Sequence, residues 1–234
     1  MQDNYDWELE FESCIYSSRL IDKLLLLNKQ AIQQIDITEV KKAIFYAKKY
    51  HADQMRQSGE PYYSHPLEVA YMISDYLFRT DIIVTSILHD TLEDTDLNYE
   101  MIESLFGSIV AGQVEDLTRI KEDQKITSAE MVESLWIQQK YDVLLIKQFD
   151  RLHNMQTIGA KSPEKIQKII KETMSTFTVL AAYLGIRDVE EKIISCCRKF
   201  IKNSVFVEDV GTDLLEKRDA ELLSLIVQSD VLHK

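Results

Sequence analysis

The stretch IIVTSILHDTLEDT, residues 82–95, decides how this chain is read. Its first half is dominated by Ile82, Ile83, Val84, Ile87 and Leu88, a run that buries the start of a helix. Its second half carries His89, Asp90, Glu93 and Asp94 within six residues. On a helix His89 stacks over Glu93 and Asp90 over Asp94, one turn apart, so a single polar face is expected to hold all four. Gathering carboxylates beside an apolar run is costly unless a cation or protons compensate. The face therefore reads as a metal-assisted hydrolysis site.

The rest of the chain fits a helical host for that face. Among 234 residues, 45% are hydrophobic, but only six are Gly and three Pro, too few for the many turns of a sandwich or barrel. An all-α fold is expected. No apolar stretch approaches the roughly 20 residues that span a bilayer, and the acidic stretch from Met1 to Glu12 lacks a signal peptide's basic flank, so a cytoplasmic location with no membrane association follows. The net charge of −12 argues against nucleic-acid binding. It still allows a small anionic ligand, because a metal and a local basic cluster such as Lys41, Lys42, Lys48, Lys49 and Arg56 reverse the field in a cleft. Cys14, Cys196 and Cys197 form neither a disulfide framework nor a zinc pattern and read as buried fillers.

Spacing predicts a helix within 11–34, then one over 38–57 capped by Asp36 with Glu39 and ended by Ser58-Gly59-Glu60-Pro61. Ser64 is placed as the cap of the next helix, with Pro66 in its first turn and His65 at its start. A helix from Asp81 carries His89 to Asp94. Helices over 99–106 and 108–120 meet at Gly107, and Lys121 to Lys125 reads as a mobile loop. Amphipathic residues 127–139 precede a central core helix from Asp142 to about Ile158. Two further helices run from Ser162-Pro163 to Leu184 and from Asp188 to about Lys202, with a last pattern near 213–228.

On the core helix, Asp150, Asn154 and Thr157 form a polar stripe. If the helices carrying His65, His89-Asp90 and Asp150 converge, two imidazoles and two carboxylates supply nitrogen and oxygen ligands for a first-row divalent ion. Ligation without sulfur leans toward manganese or iron.

In this order the motifs resemble the HD-domain signature: Ser64-His65-Pro66, then HDTLEDT at 89–95, then DRLHNM at 150–155. With RQSGEPY at 56–62 and Phe106-Gly107 they resemble the RelA/SpoT-type hydrolases of the alarmone (p)ppGpp over roughly residues 38–200. The resemblance implies a fold of about ten or more helices: an N-terminal extension over 1–35, the HD hydrolase domain over 36–202 and a tail over 203–234. It also implies a single manganese ion held by His65, His89, Asp90 and Asp150. Glu93 and Asp94 would be the catalytic acid/base pair, and Arg56, Asn154 and Thr157 would bind a guanine nucleotide. The implied reaction is removal of the 3′-diphosphate of guanosine 3′,5′-bis(diphosphate), releasing pyrophosphate. Bifunctional relatives carry a synthetase domain that needs more chain than remains after residue 200, so a stand-alone hydrolase is expected.

Alternatives stay open beside this reading. One is an HD phosphohydrolase acting on another nucleotide, such as a phosphorylated nicotinamide dinucleotide; another is a catalytically silent nucleotide-binding module. Gln57 and Gln156 stand where the family often has basic residues, and Phe177 stands where it has a Tyr. The lost tyrosine hydroxyl is read as a missing bond to the nucleotide. His51 and His153 read as structural, and His233 as a tail residue.

Overall fold

The computed structural model describes residues 6–121 and 124–201. The described residues divide into two compact units, one running up to Asp150 and the other starting at Arg151. The first begins with a single turn, α1 (Trp7–Glu10), and α2 (Ile15–Asn28). There follow α3 (Ile37–His51), α4 (Ser64–Ile73), α5 (Thr80–Leu88), the short α6 (Thr91–Asp94) and α7 (Tyr99–Leu117). Next come β1 (Ile120–Lys121) and β2 (Gln124–Lys125), then α8 (Ser128–Ile137) and α9 (Tyr141–Gln156). The second unit continues with α10 (Pro163–Glu172), a π-helical turn over Thr173–Phe177, α11 (Thr178–Tyr183) and α12 (Arg187–Ile201). The all-α expectation holds, apart from the two-residue ladder. The helix expected near 213–228 lies outside the described residues.

Helix α5 is the centre of the first unit, packing against α3, α4 and α7. Every residue from Ile82 to Leu88 is buried, as a helix without a polar face must be. The two hydroxyls within that buried stretch are satisfied locally or across a neighbour: Ser86 Oγ donates to the Ile82 carbonyl at 2.7 Å, and Thr85 Oγ1 to Gln113 Oε1 at 2.5 Å. Helix α2 lies against α3 and α4 through Leu20 and Leu24, both fully buried. Asp36 caps α3 as expected, its Oδ1 accepting from the Thr38 and Glu39 amides at 2.8 and 3.2 Å. Gly107, at φ 85°, kinks α7 where two helices were expected to meet.

Four expectations need correction. The run from Asp81 to Asp94 is two helices, because the α-helix stops at Leu88 and restarts at Thr91, with Asp90 at φ −97°, ψ −4°. Helix α3 ends at His51, since Ala52 turns to φ 39°, so Arg56 stands on a loop and not on a helix end. That loop is closed by a bridge between Met55 and Pro61 and by the Arg56 amide donating to the Glu60 carbonyl at 2.8 Å. Ser64 is the first residue of α4, not its cap. Residues flanking 122–123 pair as an antiparallel ladder, Ile120 with Lys125 and Lys121 with Gln124, where a plain loop was expected.

The cysteines also divide. Cys197 is buried, whereas Cys14 and Cys196 are part-exposed, and the Cys14 backbone amide donates to Ser17 Oγ at 2.7 Å where α2 begins.

Candidate metal centre

The end of buried α5 delivers His89 into the interior, where its side chain is 1% exposed. Its Nδ1 lies 2.8 Å from the Ser86 carbonyl, which only accepts, so Nδ1 carries the hydrogen. With the hydrogen on Nδ1, the uncharged form of the ring presents a lone pair at Nε2, and that buried atom has no hydrogen-bond partner. It faces carboxylate oxygens: Asp90 Oδ1 at 3.2 Å and Asp150 Oδ1 at 4.0 Å. A lone pair aimed at carboxylates in a dry interior is unfavourable until a cation or a proton stands between them.

His65, in the first turn of α4, completes the cluster. Its Nε2 lies 3.1 Å from Asp150 Oδ1 and 3.7 Å from Asp90 Oδ2. The ligand atoms of His65, His89 and Asp150 fall within 4.8 Å of one another, and all three residues are buried. Asp90 closes the open side, with its side chain 21% exposed. The four residues singled out as ligands therefore converge, and the donor set of two imidazoles with carboxylates suits a divalent first-row metal. The orphaned Nε2 of His89 is the structural sign that the site fits one.

The electrostatics favour ligating forms. Burial pushes the His65 imidazole below its usual range, keeping a nitrogen free to coordinate, although the Asp150 carboxylate pulls the other way. Burial works to raise Asp90 and Asp150, but other groups outweigh it. The His89 and His65 rings hold Asp90 below the ordinary carboxylate range, and Lys147 with His65 holds Asp150 well below it. Both carboxylates are charged at neutral pH.

Glu93 and Asp94 do not share a face with one another. The break after Leu88 turns Glu93 toward the segment following α7, where its Oε2 accepts from the Arg119 amide at 3.3 Å and its Oε1 lies 3.5 Å from Arg119 Nη2. Asp94 turns the other way, its Oδ2 accepting from the Tyr62 hydroxyl at 2.7 Å. The same hydroxyl is 3.1 Å from Asp90 Oδ2 and so joins the Asp90 carboxylate to that of Asp94. Behind it, the His51 ring stacks on Tyr62 at 4.6 Å. His51 Nδ1 meets Gln54 Oε1 at 2.9 Å, and Gln54 Nε2 donates to the Asp94 carbonyl at 2.8 Å.

Sequence reasoning passed over Tyr62, Gln54, Arg119 and Lys147. Two of them had a readable signal: Tyr62 closes the RQSGEPY motif, and Lys147 lies three residues before Asp150 on one helix face. Arg56 sits on the loop that also carries Gln54. Asn154 and Thr157 belong to the second unit, where Thr157 Oγ1 donates to the His153 carbonyl at 3.2 Å. In that unit Phe177 is fully buried in the π-helical turn, with the Arg151 guanidinium 4.2 Å from its ring centroid.

The HD-domain profile matches residues 43–187, a span that holds the whole cluster. The chain belongs to the HD-domain family. This HD protein is 38% identical over 192 residues to the GTP pyrophosphokinase rsh of Brucella ovis, an alignment covering 78% of it and 26% of the relative. It is 39% identical over 166 residues to the guanosine-3′,5′-bis(diphosphate) 3′-pyrophosphohydrolase of Aquifex aeolicus, covering 70% and 24%. It also resembles the solved structure of a metazoan ortholog of SpoT that hydrolyses ppGpp, with 22% identity, a TM-score of 0.48, and 80% and 94% of the two chains covered. The HD protein spans about a quarter of the length of these curated relatives. Among its described residues, no helix is long and apolar enough to cross a membrane.

Proposed function

We propose that this HD protein removes the 3′-diphosphate of guanosine 3′,5′-bis(diphosphate) or of its 5′-triphosphate counterpart (ppGpp or pppGpp) with one manganese ion, releasing pyrophosphate and GDP or GTP respectively. The convergence of His65, His89 and Asp150 with Asp90, flanked by Glu93 and Asp94, carries the reading. Relatives named for ppGpp hydrolysis support the choice of substrate. In this reading His65, His89, Asp90 and Asp150 hold the ion. A bound divalent ion supplies Lewis acidity toward a water molecule and a phosphate oxygen. Glu93 and Asp94 take the proton from the attacking water and return one to the leaving group, each held in place by its own partner, Arg119 or Tyr62. Arg56, Asn154 and Thr157 contact the nucleotide. Residues 36–202 form the hydrolase, with 1–35 and 203–234 as extensions, and the setting is the cytoplasm.

The test is product analysis on a nucleotide panel with manganese present. The expected result is pyrophosphate release from ppGpp, abolished in Asp90→Ala and Asp150→Ala. Turnover of a phosphorylated nicotinamide dinucleotide in place of ppGpp, or binding of ppGpp without turnover, overturns the substrate or the enzyme assignment respectively. Full activity in either variant overturns the metal assignment.

A further inference from the structure

Helix α9 sets Lys147 three residues ahead of Asp150, so that the two side chains share a face. Lys147 Nζ lies 2.8 Å from Asp150 Oδ2, and each side chain is only 9% exposed. The carboxylate is thereby divided. Oδ1 faces His65 Nε2 at 3.1 Å and His89 Nε2 at 4.0 Å, while Oδ2 rests on the ammonium.

A buried lysine is uncommon, and a buried ion pair is weak evidence for stability, because well-packed apolar residues often serve as well. This pair also sits in an unusual place, on a carboxylate that the metal-site reading assigns to the ion. The charge of Lys147 therefore has a consequence that packing does not supply. Without the ion, Asp90 and Asp150 are two carboxylates facing His65 Nε2 at 3.7 and 3.1 Å, in a ring that burial disposes to neutrality. The Lys147 ammonium is then the cation that compensates Asp150. With the ion in place, the same ammonium repels it across a few ångströms of dry interior and withholds Oδ2 from coordination.

We infer that Lys147 sets the affinity of the site for its divalent ion, keeping Asp150 a one-oxygen ligand and holding the ion-free protein together. Lys147 acts through Asp150 and is a positioning residue. The inference rests on the metal-site reading, but it is independent of which nucleotide the site serves.

The experiment uses the full chain stripped by a chelator and titrated with manganese, free Mn(II) being followed by electron paramagnetic resonance. Melting curves are recorded with and without the ion. Lys147→Met removes the charge at similar length, and Lys147→Gln keeps a hydrogen-bond donor for Asp150 should the first variant fold poorly. Both are expected to bind manganese about tenfold more tightly than the wild type or better, and to gain more in Tm from it. Ion-free Lys147→Met that folds only once manganese is added is the same result in stronger form. Lys147→Arg, which keeps the charge, should stay within about threefold of wild type. A Kd in the Gln or Met variant that is unchanged within threefold, or weaker, overturns the role of Lys147. Wild-type protein that takes up no manganese overturns the metal-site reading as well, which separates the two failures.

Discussion

Tyr62 donates its hydroxyl to Asp94 at 2.7 Å while its ring rests on His51 at 4.6 Å. Asp94 is thus aimed by a side chain that is itself clamped from behind. Burial, with Asp90 and Asp94 beside it, pushes the Tyr62 phenol far up, so it stays a donor across the working pH range. Tyr62→Phe removes one oxygen and leaves the stack. A hydrogen bond to a charged group contributes about 1.5–3 kcal/mol, so kcat is expected to fall roughly 10- to 100-fold. The same hydroxyl also lies 3.1 Å from Asp90 Oδ2, a ligand in the proposed reading, so kcat is read at saturating manganese and a metal titration beside it separates the loss through Asp94 from any change in the Kd for manganese. A kcat within about twofold of wild type would remove Asp94's orientation from the account.

The burial of α5 makes a stability prediction that is also a site prediction. Ile87 is fully buried and lies two residues before His89. Ile87→Ala removes three carbons from a helix packed on three sides, at a cost of about 2–5 kcal/mol. A fall in the denaturant midpoint at unchanged m-value measures it. A loss under about 1 kcal/mol would mean that α5 is not the packed support that positions the imidazole.

How much of this was legible depends on whether a residue type marks the event. The kink at Gly107 and the cap at Asp36 are marked, because Gly adopts φ 85° without strain and a short carboxylate reaches its own helix's amides. The convergence of the four candidate ligands is readable from residue type and order, since imidazoles and carboxylates together suit a divalent first-row ion. The break between Leu88 and Thr91 has no such mark. No Gly or Pro stands there, and the helix yields so that His89 and Asp90 can both face inward. Predicting the arrangement of Glu93 and Asp94 from an unbroken helix therefore fails by direction and not by identity. Tyr62 and Arg119 are tertiary partners, 32 and 26 residues from the carboxylates they hold, and no periodicity reaches that far.

The three thiols should react in a fixed order with iodoacetamide near pH 8. Burial opposes ionisation of Cys14, but hydrogen bonds from Ser17, the Tyr16 amide and the charge of Lys48 outweigh it and bring the thiol below its usual range. Burial raises Cys196, and it pushes Cys197 up to about 12. The thiolate is the nucleophile, so Cys14 should label first, Cys196 more slowly, and Cys197 only in denaturant. Peptide mapping over a time course reads the order. Early labelling of Cys197 in folded protein would contradict its packing within α12.

Acidification should destabilise the fold before any carboxylate titrates, and His51 is the group that makes this testable. Burial lowers its imidazole, opposed by its bond to Gln54 and by the charges of Asp90 and Asp94, while His89 acts in the same direction as burial. A folded-state value below the unfolded one means that the unfolded chain takes up a proton first as pH falls. The contribution of His51 is therefore fully present above the unfolded value near 6.5 and is lost as pH drops through the folded one. Each such group contributes a slope of at most about 1.4 kcal/mol per pH unit within that window. Urea unfolding at intervals from pH 7.5 to 5 should show stability declining below about 6.5. His51→Gln keeps a donor for Gln54 but does not titrate, so it should be less stable at pH 7.5 for want of the stacked ring and lose less on acidification. Parallel pH profiles for the two proteins would assign the decline to other groups.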